Sequence, residues 1–532
     1  MPSTGAAPAP LEALARRYLA LSPATARSAG LHEFDGQVAP VSAADIAQRI
    51  TTLRELAHAL ESSKQTRLDA DERLDCAILA QALAEELFEL TEVEAWRTRP
   101  MYYAELFSLD PYIVRDYAPK EQRARALLAH VKHALEQVGN IEQNLHSPLA
   151  RPVVLTSIDV FKGYAEYLRG DVQTFLEQSA EPATVSEAKP LVLELAAAAE
   201  KLAQRLERVE LPQADQSHVL GRARYEHLLL AQEALTTPIE QLEQMAEADL
   251  QRNQVSYRQL AVRVSKSRPP ASELLGEADQ VLAASIAFVS AHHIASVPSA
   301  PNVSVKETPP FMRWNSAFLN AGGPLEPAKL AAYYYITLPD PAWPAKEQAE
   351  YVMSRGELVS TTVHEVFPGH YLQALWQRNA PTFTQKVFGS YSFSEGWAHY
   401  VEQMMIDESF AADLPESRLG QLSDALLRDC RFVVSIGIHV HALPLEAAER
   451  RFADDCMQDA ATARQQALRG TFDPGYFAYT LGKLQILALR AEAQQQLGTR
   501  FNLGRFHDAL LAHGAPQVPL IHDRVLEALA RE

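Results

Sequence analysis

The sequence predicts a mostly α-helical protein with one small antiparallel β element, and three observations carry that prediction. From Leu11 to about Ala291 the chain is dominated by Ala, Leu, Glu, Gln and Arg, the residues that lose least on entering a helix. Apolar residues recur there at three- and four-residue spacing, as in Leu193, Leu195, Ala198, Leu202 and Leu206, which lays a stripe along one helix face. Pro, Asn, Gly and Thr concentrate in one interval, about Val297 to Trp343, around two short runs of strand character.

Taken in order, the first helices break at Ser147-Pro148, Leu211-Pro212 and Arg268-Pro269-Pro270, where proline lacks the N–H that would continue the ladder. Val303 to Val305 and Tyr333 to Thr337 then read as an edge hairpin or two-strand sheet. After Pro344 the helical pattern resumes to the end, interrupted at Asp473-Pro474-Gly475. We therefore expect a helical lobe over residues 1–296 and, continuous with it, a catalytic lobe over 297–532 that holds the hairpin and the chemically interesting helices.

Hydrophobic residues make up 47% of the 532 positions and charged residues 22%, which excludes a mainly disordered, collagenous or disulfide-scaffold chain. A net charge of −18, with no basic patch, argues against a nucleic-acid or anionic-membrane partner. Cys76, Cys430 and Cys456 are odd in number, far apart and in no CxxC arrangement, so neither a disulfide framework nor a thiolate metal site is expected. A reducing compartment fits that usage best. Met1 to Pro10 has no basic or apolar segment of a secretory signal, and the apolar stretch Val281 to Val289 is far short of the roughly 20 residues of a membrane span. The expectation is a cytoplasmic, unanchored protein.

The chemistry concentrates in Thr361-Thr362-Val363-His364-Glu365-Val366-Phe367-Pro368-Gly369-His370. This is a His-Glu pair followed by a second histidine, two residues longer than HExxH, in which histidines at i and i+4 share one helix face and the glutamate is general base for a zinc-bound water. At i and i+6 a regular helix would place the imidazoles about 120° apart, too far round to share an ion. Pro368 and Gly369 supply a deformation: proline removes a helical N–H and pushes the chain outward, and glycine adds backbone freedom. A Pro-Gly bulge that swings His370 back beside His364 is the expected outcome. The competing reading is a helix end with two solvated histidines.

Zinc in a hydrolase takes a third protein ligand and keeps one position open. Glu395, in Ser392-Phe393-Ser394-Glu395-Gly396-Trp397-Ala398-His399-Tyr400, is the candidate, although Ser392-x-x-Glu395 also has the form of a capping box. His399 is a rival ligand one turn on, and Glu402 a candidate partner for a ligand histidine.

His364-Glu365-Val366-Phe367-Pro368-Gly369-His370 with Ser394-Glu395-Gly396-Trp397-Ala398 resembles the bacterial domain-of-unknown-function 885 family. That family is similar to the helical zinc peptidases that include thimet oligopeptidase, angiotensin-converting enzyme and carboxypeptidase Taq. The resemblance continues through Arg431-Phe432-Val433-Val434, Gly437-Ile438-His439, Tyr479-x-x-Gly482-Lys483, Leu489-Arg490, Leu497-Gly498 and Phe506-His507-Asp508, and more loosely through Val303 to Phe311. It implies a two-lobed helical fold around a deep cleft, zinc on His364, His370 and Glu395, and Glu365 as base. Tyr479 and His439 become the candidate donors to an oxyanion, with Tyr476 as a substitute. Where the family has an Asp after Val-Val this chain has Ser435, which leaves the role of His439 open. Arg490 is a candidate carboxylate clamp or an ordinary ion pair with a neighbouring acid, and the Tyr333-Tyr334-Tyr335 run is expected to turn at least one ring to the cleft.

The leading functional expectation is a Zn²⁺-dependent hydrolase of short peptides or small amide substrates. A metal-dependent lyase or decarboxylase on a small amino-acid-like metabolite is the alternative, and a non-catalytic helical binding protein the third reading. No GxSxG elbow and no phosphate-binding glycine loop occurs, so serine hydrolysis and nucleotide chemistry have no support.

Overall fold

A computed structural model describes residues 10–64, 67–309, 312–313, 315–327 and 329–531, and within them the chain is mostly helical. Residues 1–9 of the N-terminal stretch, and Phe311, lie outside the described residues. The chain forms two compact units: Met1–His218 with Gly322–Leu330 and Thr382–Phe388, and Val219–Ala321 with Ala331–Pro381 and Gly389–Glu532. The main boundary thus falls after His218, earlier than the change of sequence character near residue 297, because helices of one composition are shared between both units.

In the first unit, α1 (Lys120–Asn144), α2 (Arg151–Arg169) and α3 (Pro182–Arg205) pack together. The buried stripe of α3 is Ala188, Val192, Leu195, Ala199 and Leu202, continued by Leu206, at the spacing of one helix face. Leu193 lies off it and is 46% exposed. Pro152 and Pro182 sit in first turns, where a missing N–H costs nothing.

The second unit carries the candidate site. Its first helices here are α4 (Ile239–Ala261) and α5 (Leu274–Ala291). By length and composition α5, with mean hydropathy 1.3, is apolar enough to cross a membrane. Its buried positions, Leu274, Ala278, Leu282, Ser285 and Val289, follow a one-sided core stripe, and its Glu277 pairs with Arg355 at 2.7 Å.

The β element departs from expectation. β1 (Val303–Glu307), β2 (Ala317–Asn320) and β3 (Ala332–Ile336) form a sheet in the order β1-β3-β2. β1 runs parallel to β3, and β2 pairs antiparallel with it through Ala317–Ile336 and Leu319–Tyr334. The antiparallel hairpin is therefore corrected to a mixed three-stranded sheet. β2 escapes the sequence reading because Ala-Phe-Leu-Asn is short, lacks a β-branched residue and gains strand character from its partner. Tyr334 is fully buried, with its hydroxyl 3.4 Å from Thr362 Oγ1.

Five helices follow: α6 (Arg355–Glu365), α7 (His370–Arg378), α8 (Tyr391–Asp407), α9 (Ser417–His441) and α10 (Ala478–Leu497). Ser354 caps α6 in a capping box with Glu357. α8 and α10 cross at glycine: a Cβ on Gly482 would lie 1.9 Å from the Ser392 carbonyl oxygen, and one on Gly396 2.5 Å from Gly482 Cα. Only glycine at both positions permits that approach, which fixes Tyr479 of α10 against the Glu395 turn of α8.

The cysteine expectation is also corrected. Cys430 and Cys456 form a disulfide within an apolar cluster that includes Val434, Ile438, Phe452 and Tyr476, and Cys76 is the free, buried thiol. Their sequence separation of 26 gave no motif; helix packing brings them together. Closing such a loop stabilises by about 3–4 kcal/mol in the chain-entropy treatment. Thiol titration of the denatured, unreduced protein is expected to give one thiol per chain, rising to three on reduction; three before reduction would contradict the pairing.

Candidate metal centre

The bulge forms where Pro368 and Gly369 place it. α6 ends at Glu365, Val366 adopts φ −119° and ψ −76°, Gly369 adopts φ −70° and ψ −132°, and α7 begins at His370. The Phe367–Pro368 peptide is cis. Gly369 N–H donates to the Val363 carbonyl at 2.9 Å, and the Pro368 carbonyl accepts from Trp397 Nε1 at 2.9 Å, tying the turn to α8. The turn presses so closely on α6 that a Cβ on Gly369 would lie 1.8 Å from the His364 carbonyl oxygen. As a result the His364 and His370 rings lie 4.8 Å apart and nearly perpendicular.

Glu395 completes the cluster from the second turn of α8. The cap of that helix is Ser390, whose hydroxyl accepts from Phe393 N–H at 3.0 Å, while Ser392 bonds Glu233. Glu395 is thus released from capping, and its Oε2 lies 3.3 Å from His364 Nε2 and 3.5 Å from His370 Nε2. One donor atom from each of the three lies within 4.8 Å of the others. A tetrahedral zinc shell with bonds of about 2.1 Å has edges of about 3.4 Å, which the two carboxylate–imidazole separations match. Glu395 Oε2 is buried and takes no hydrogen bond. Burial would raise its pKa, but the charge on His370 above all, and the contacts with both imidazoles, hold the carboxyl well below the usual range. Two histidines and a carboxylate that converge without hydrogen bonds are a donor set that a divalent cation fits.

A shell of side chains orients this set. Glu402, one helical repeat after Glu395, accepts from His364 Nδ1 at 2.6 Å and lies 3.2 Å from His399 Nδ1. Arg428 of α9 pairs with Glu402 at 3.1 Å. With Nδ1 held against Glu402, Nε2 is the nitrogen left to lose its proton and bind a metal. Burial opposes ionisation of Glu402, but the Arg428 charge and the neighbouring histidines hold it far below the usual carboxylate range. His364 is raised to about 9: burial and Arg428 lower it, and the closeness of the Glu395 and Glu402 carboxylates more than offsets them. Burial takes His399, the rival ligand, down to about 3, so it is a neutral partner of Glu402 outside the cluster.

Glu365, adjacent to the first histidine, is not among the converging donors. Its Oε2 accepts from Leu319 N–H at 3.0 Å, which ties the carboxylate to the outer edge of β2. The Tyr479 ring stacks on His364 with centroids 6.4 Å apart, and its hydroxyl accepts from Tyr391 at 3.1 Å, leaving its own proton to donate elsewhere. Burial, then the Glu395 charge, raise the Tyr479 pKa, which keeps it a proton donor.

The other candidates lie apart from the cluster. His439 is fully buried, with Nε2 2.7 Å from the Gly470 carbonyl oxygen and its ring stacked on Tyr225. Ser435, in place of the family Asp, bonds Tyr225 and the Pro474 carbonyl. Tyr476 belongs to the apolar cluster around the disulfide. Arg490 bonds Tyr400 at 3.1 Å and lies 3.8 Å from Glu408. Arg428 and Tyr391, by contrast, join the site without any motif to announce them; the only sequence signal was the helical register of Arg428 and Arg431, one turn apart on α9.

Fold and site define a mostly helical protein with a His-His-Glu cluster at a helix break. The chain belongs to the family described as bacterial protein of unknown function (DUF885), matched over residues 23–525. It is similar to the solved structure of a candidate lipoprotein of unknown function from Shewanella oneidensis, at 22% identity and TM-score 0.78, over 97% of this chain and 98% of that one. It is also similar to that of a candidate lipoprotein from Colwellia psychrerythraea, at 17% identity and TM-score 0.81, over 98% and 99% of the two chains. No curated protein matches. The cytoplasmic, unanchored expectation does not stand: both of these structures are described as candidate lipoproteins. The Cys430–Cys456 disulfide is likewise chemistry of an oxidising compartment.

Proposed function

We propose that the protein is a zinc-dependent hydrolase of peptide or other amide bonds, in keeping with the likeness of its His-Glu-x3-Gly-His motif to the helical zinc peptidases. The observation that carries the reading is the convergence of His364 Nε2, His370 Nε2 and Glu395 Oε2, with Glu365 beside them but outside the donor set. Zinc held by those three residues would supply Lewis acidity toward a carbonyl oxygen and acidify water near it, with a coordination position left for substrate. The protein supplies the rest. Glu365, anchored through Oε2 to the β2 backbone, offers its other oxygen to take the proton of the attacking water and return it to the leaving nitrogen. Tyr479, its proton not used on Tyr391, donates to the oxygen that gains charge. Glu402 and Arg428 hold His364 in one tautomer and orientation.

Elemental analysis tests the metal directly. Purified protein is expected to carry about one zinc per chain, and His364→Ala and His370→Ala each to lose it, since each removes one of three protein ligands. Stoichiometric zinc retained by both variants would remove the assignment.

A further inference from the structure

Folded chains bury cations with counter-ions, because an unpaired buried charge gives up hydration with nothing in return. Four lysine or arginine residues are buried among the described residues: Arg27, Arg123, Arg431 and Lys483. Arg27 has Glu105 at 3.7 Å, Arg123 has Asp116 at 2.8 Å, and Lys483 pairs with Asp249. Arg431, 7% exposed on α9, is the exception. Its Nε donates to the neutral Gln466 at 2.9 Å, and among the described residues no carboxylate lies within 4.0 Å and no hydrogen bond engages either terminal nitrogen. The ionisable groups that face it include Tyr479, Tyr476, Arg469, Arg428 and Tyr391. Burial lowers its pKa, and two neighbouring arginines add to the effect.

The position matters as much as the missing partner. The Arg431 guanidinium lies 4.7 Å from the centroid of the Tyr479 ring, the ring that also stacks on His364. From Tyr479 a chain of contacts leads outward: Tyr391, 39% exposed, donates to Tyr479 and accepts from Arg469 Nη2 at 2.9 Å. The arrangement is a guanidinium fork without an anion, beside the candidate centre and joined to the surface by phenol and arginine donors. A planar fork with both terminal nitrogens uncommitted matches a carboxylate, which it can bind through two parallel hydrogen bonds.

We propose that Arg431 binds a carboxylate carried by the substrate, so that the site takes small acidic substrates, with either a free C-terminal carboxylate or an acidic side chain. The placement of this carboxylate beside the reacting bond rests on the hydrolase reading; the anion site itself does not. In an internal peptide bond of a long chain neither neighbouring group need be charged, so this fork selects short peptides and acyl amino acids over neutral interior segments.

Calorimetry on the full-length protein tests this without turnover, using N-benzoylglycine, its amide, and the α-amide of N-acetylglutamate, which keeps only a side-chain carboxylate. A charge-assisted bidentate contact predicts that an acid binds about 10–100-fold tighter than the neutral benzoylglycinamide. Preference for N-benzoylglycine identifies a terminal carboxylate, and preference for the glutamate derivative a side-chain one. The preference is expected to survive removal of metal with EDTA and to vanish in Arg431→Met. Tm is measured beside binding on Arg431→Met and on Arg431→Lys, which keeps the charge but not the fork: loss of the acid preference in a folded Arg431→Met, with partial retention in Arg431→Lys, separates anion binding from a merely structural role. Equal affinity of the wild type for all three probes would overturn the proposal, whatever the variant does, and so would a preference that persists in Arg431→Met. Absence of zinc, or turnover indifferent to Glu365, would sink the hydrolase reading and leave an acid preference standing, so the two failures are separable.

Discussion

Glu365→Gln is expected to keep zinc and stability close to wild type while turnover of any peptide found in a mixed-library screen falls by about 10²–10⁴-fold, the usual worth of a positioned general base. The anchoring contact explains the selectivity. Glu365 Oε2 accepts from Leu319 N–H, and the amide oxygen of glutamine can accept the same bond, so the β2 contact and the loop around it survive. The basic oxygen is lost. Glu395→Gln is expected to behave differently, because Glu395 Oε2 faces two imidazoles at 3.3 and 3.5 Å and a neutral amide is a poor substitute for an anionic ligand. Zinc retention and activity should fall together there. The measurement is zinc content and turnover on both variants in parallel. Loss of zinc from Glu365→Gln with retention in Glu395→Gln would exchange the roles of the two glutamates, and unchanged activity in both would put the chemistry elsewhere.

Much of this centre is legible in the sequence because its parts are local. The i and i+6 histidines with Pro-Gly between them predict a break, and α6 stops at Glu365 one residue after the first histidine. Ser147-Pro148 and Arg268-Pro269-Pro270 fall between helices, and Asp473-Pro474-Gly475 ends one α-helix and opens a 3-10 turn, as expected where proline lacks a backbone donor. What escapes is what depends on distant chain. Ser392 satisfies the spacing of a capping box, yet the helix begins two residues earlier and Ser390 caps it; spacing alone does not reveal which residue leaves the helical backbone. β2 is a strand because β3 pairs with it, and Cys430 meets Cys456 because the helix and turn that carry them pack together. His439 carried a family motif and Tyr476 stood as a substitute for Tyr479, but their surroundings are the Gly470 carbonyl and the disulfide cluster. Arg428 lies in no motif and Arg431 opens one, but only the fold shows that Arg428 has a carboxylate partner and Arg431 has none among the described residues.

Gly369→Ala is expected to undo the centre without touching any donor atom. The added Cβ would lie 1.8 Å from the His364 carbonyl oxygen and 2.4 Å from that of Val363, both backbone atoms of the helix that carries the first ligand. No rotamer change relieves such a contact, so the turn must move away from α6, and His370, the next residue, moves with it. The same turn is tied to α8 through the Pro368 carbonyl and Trp397 Nε1, so the displacement strains that contact as well. Forced overpacking of a tight site costs about 1–3 kcal/mol. The larger effect is on the metal, because the imidazole separation that makes a shared ion possible depends on this approach: zinc content and turnover are expected to fall to the level of His370→Ala. Gly163→Ala is the matched control, since that glycine is helical and exposed with nothing within 4 Å of an added Cβ. The control should gain up to about 1 kcal/mol from helix propensity and keep its zinc. Full zinc loading in Gly369→Ala, measured beside that control, would show that the two histidines meet without the glycine and that the bulge is not what assembles the site.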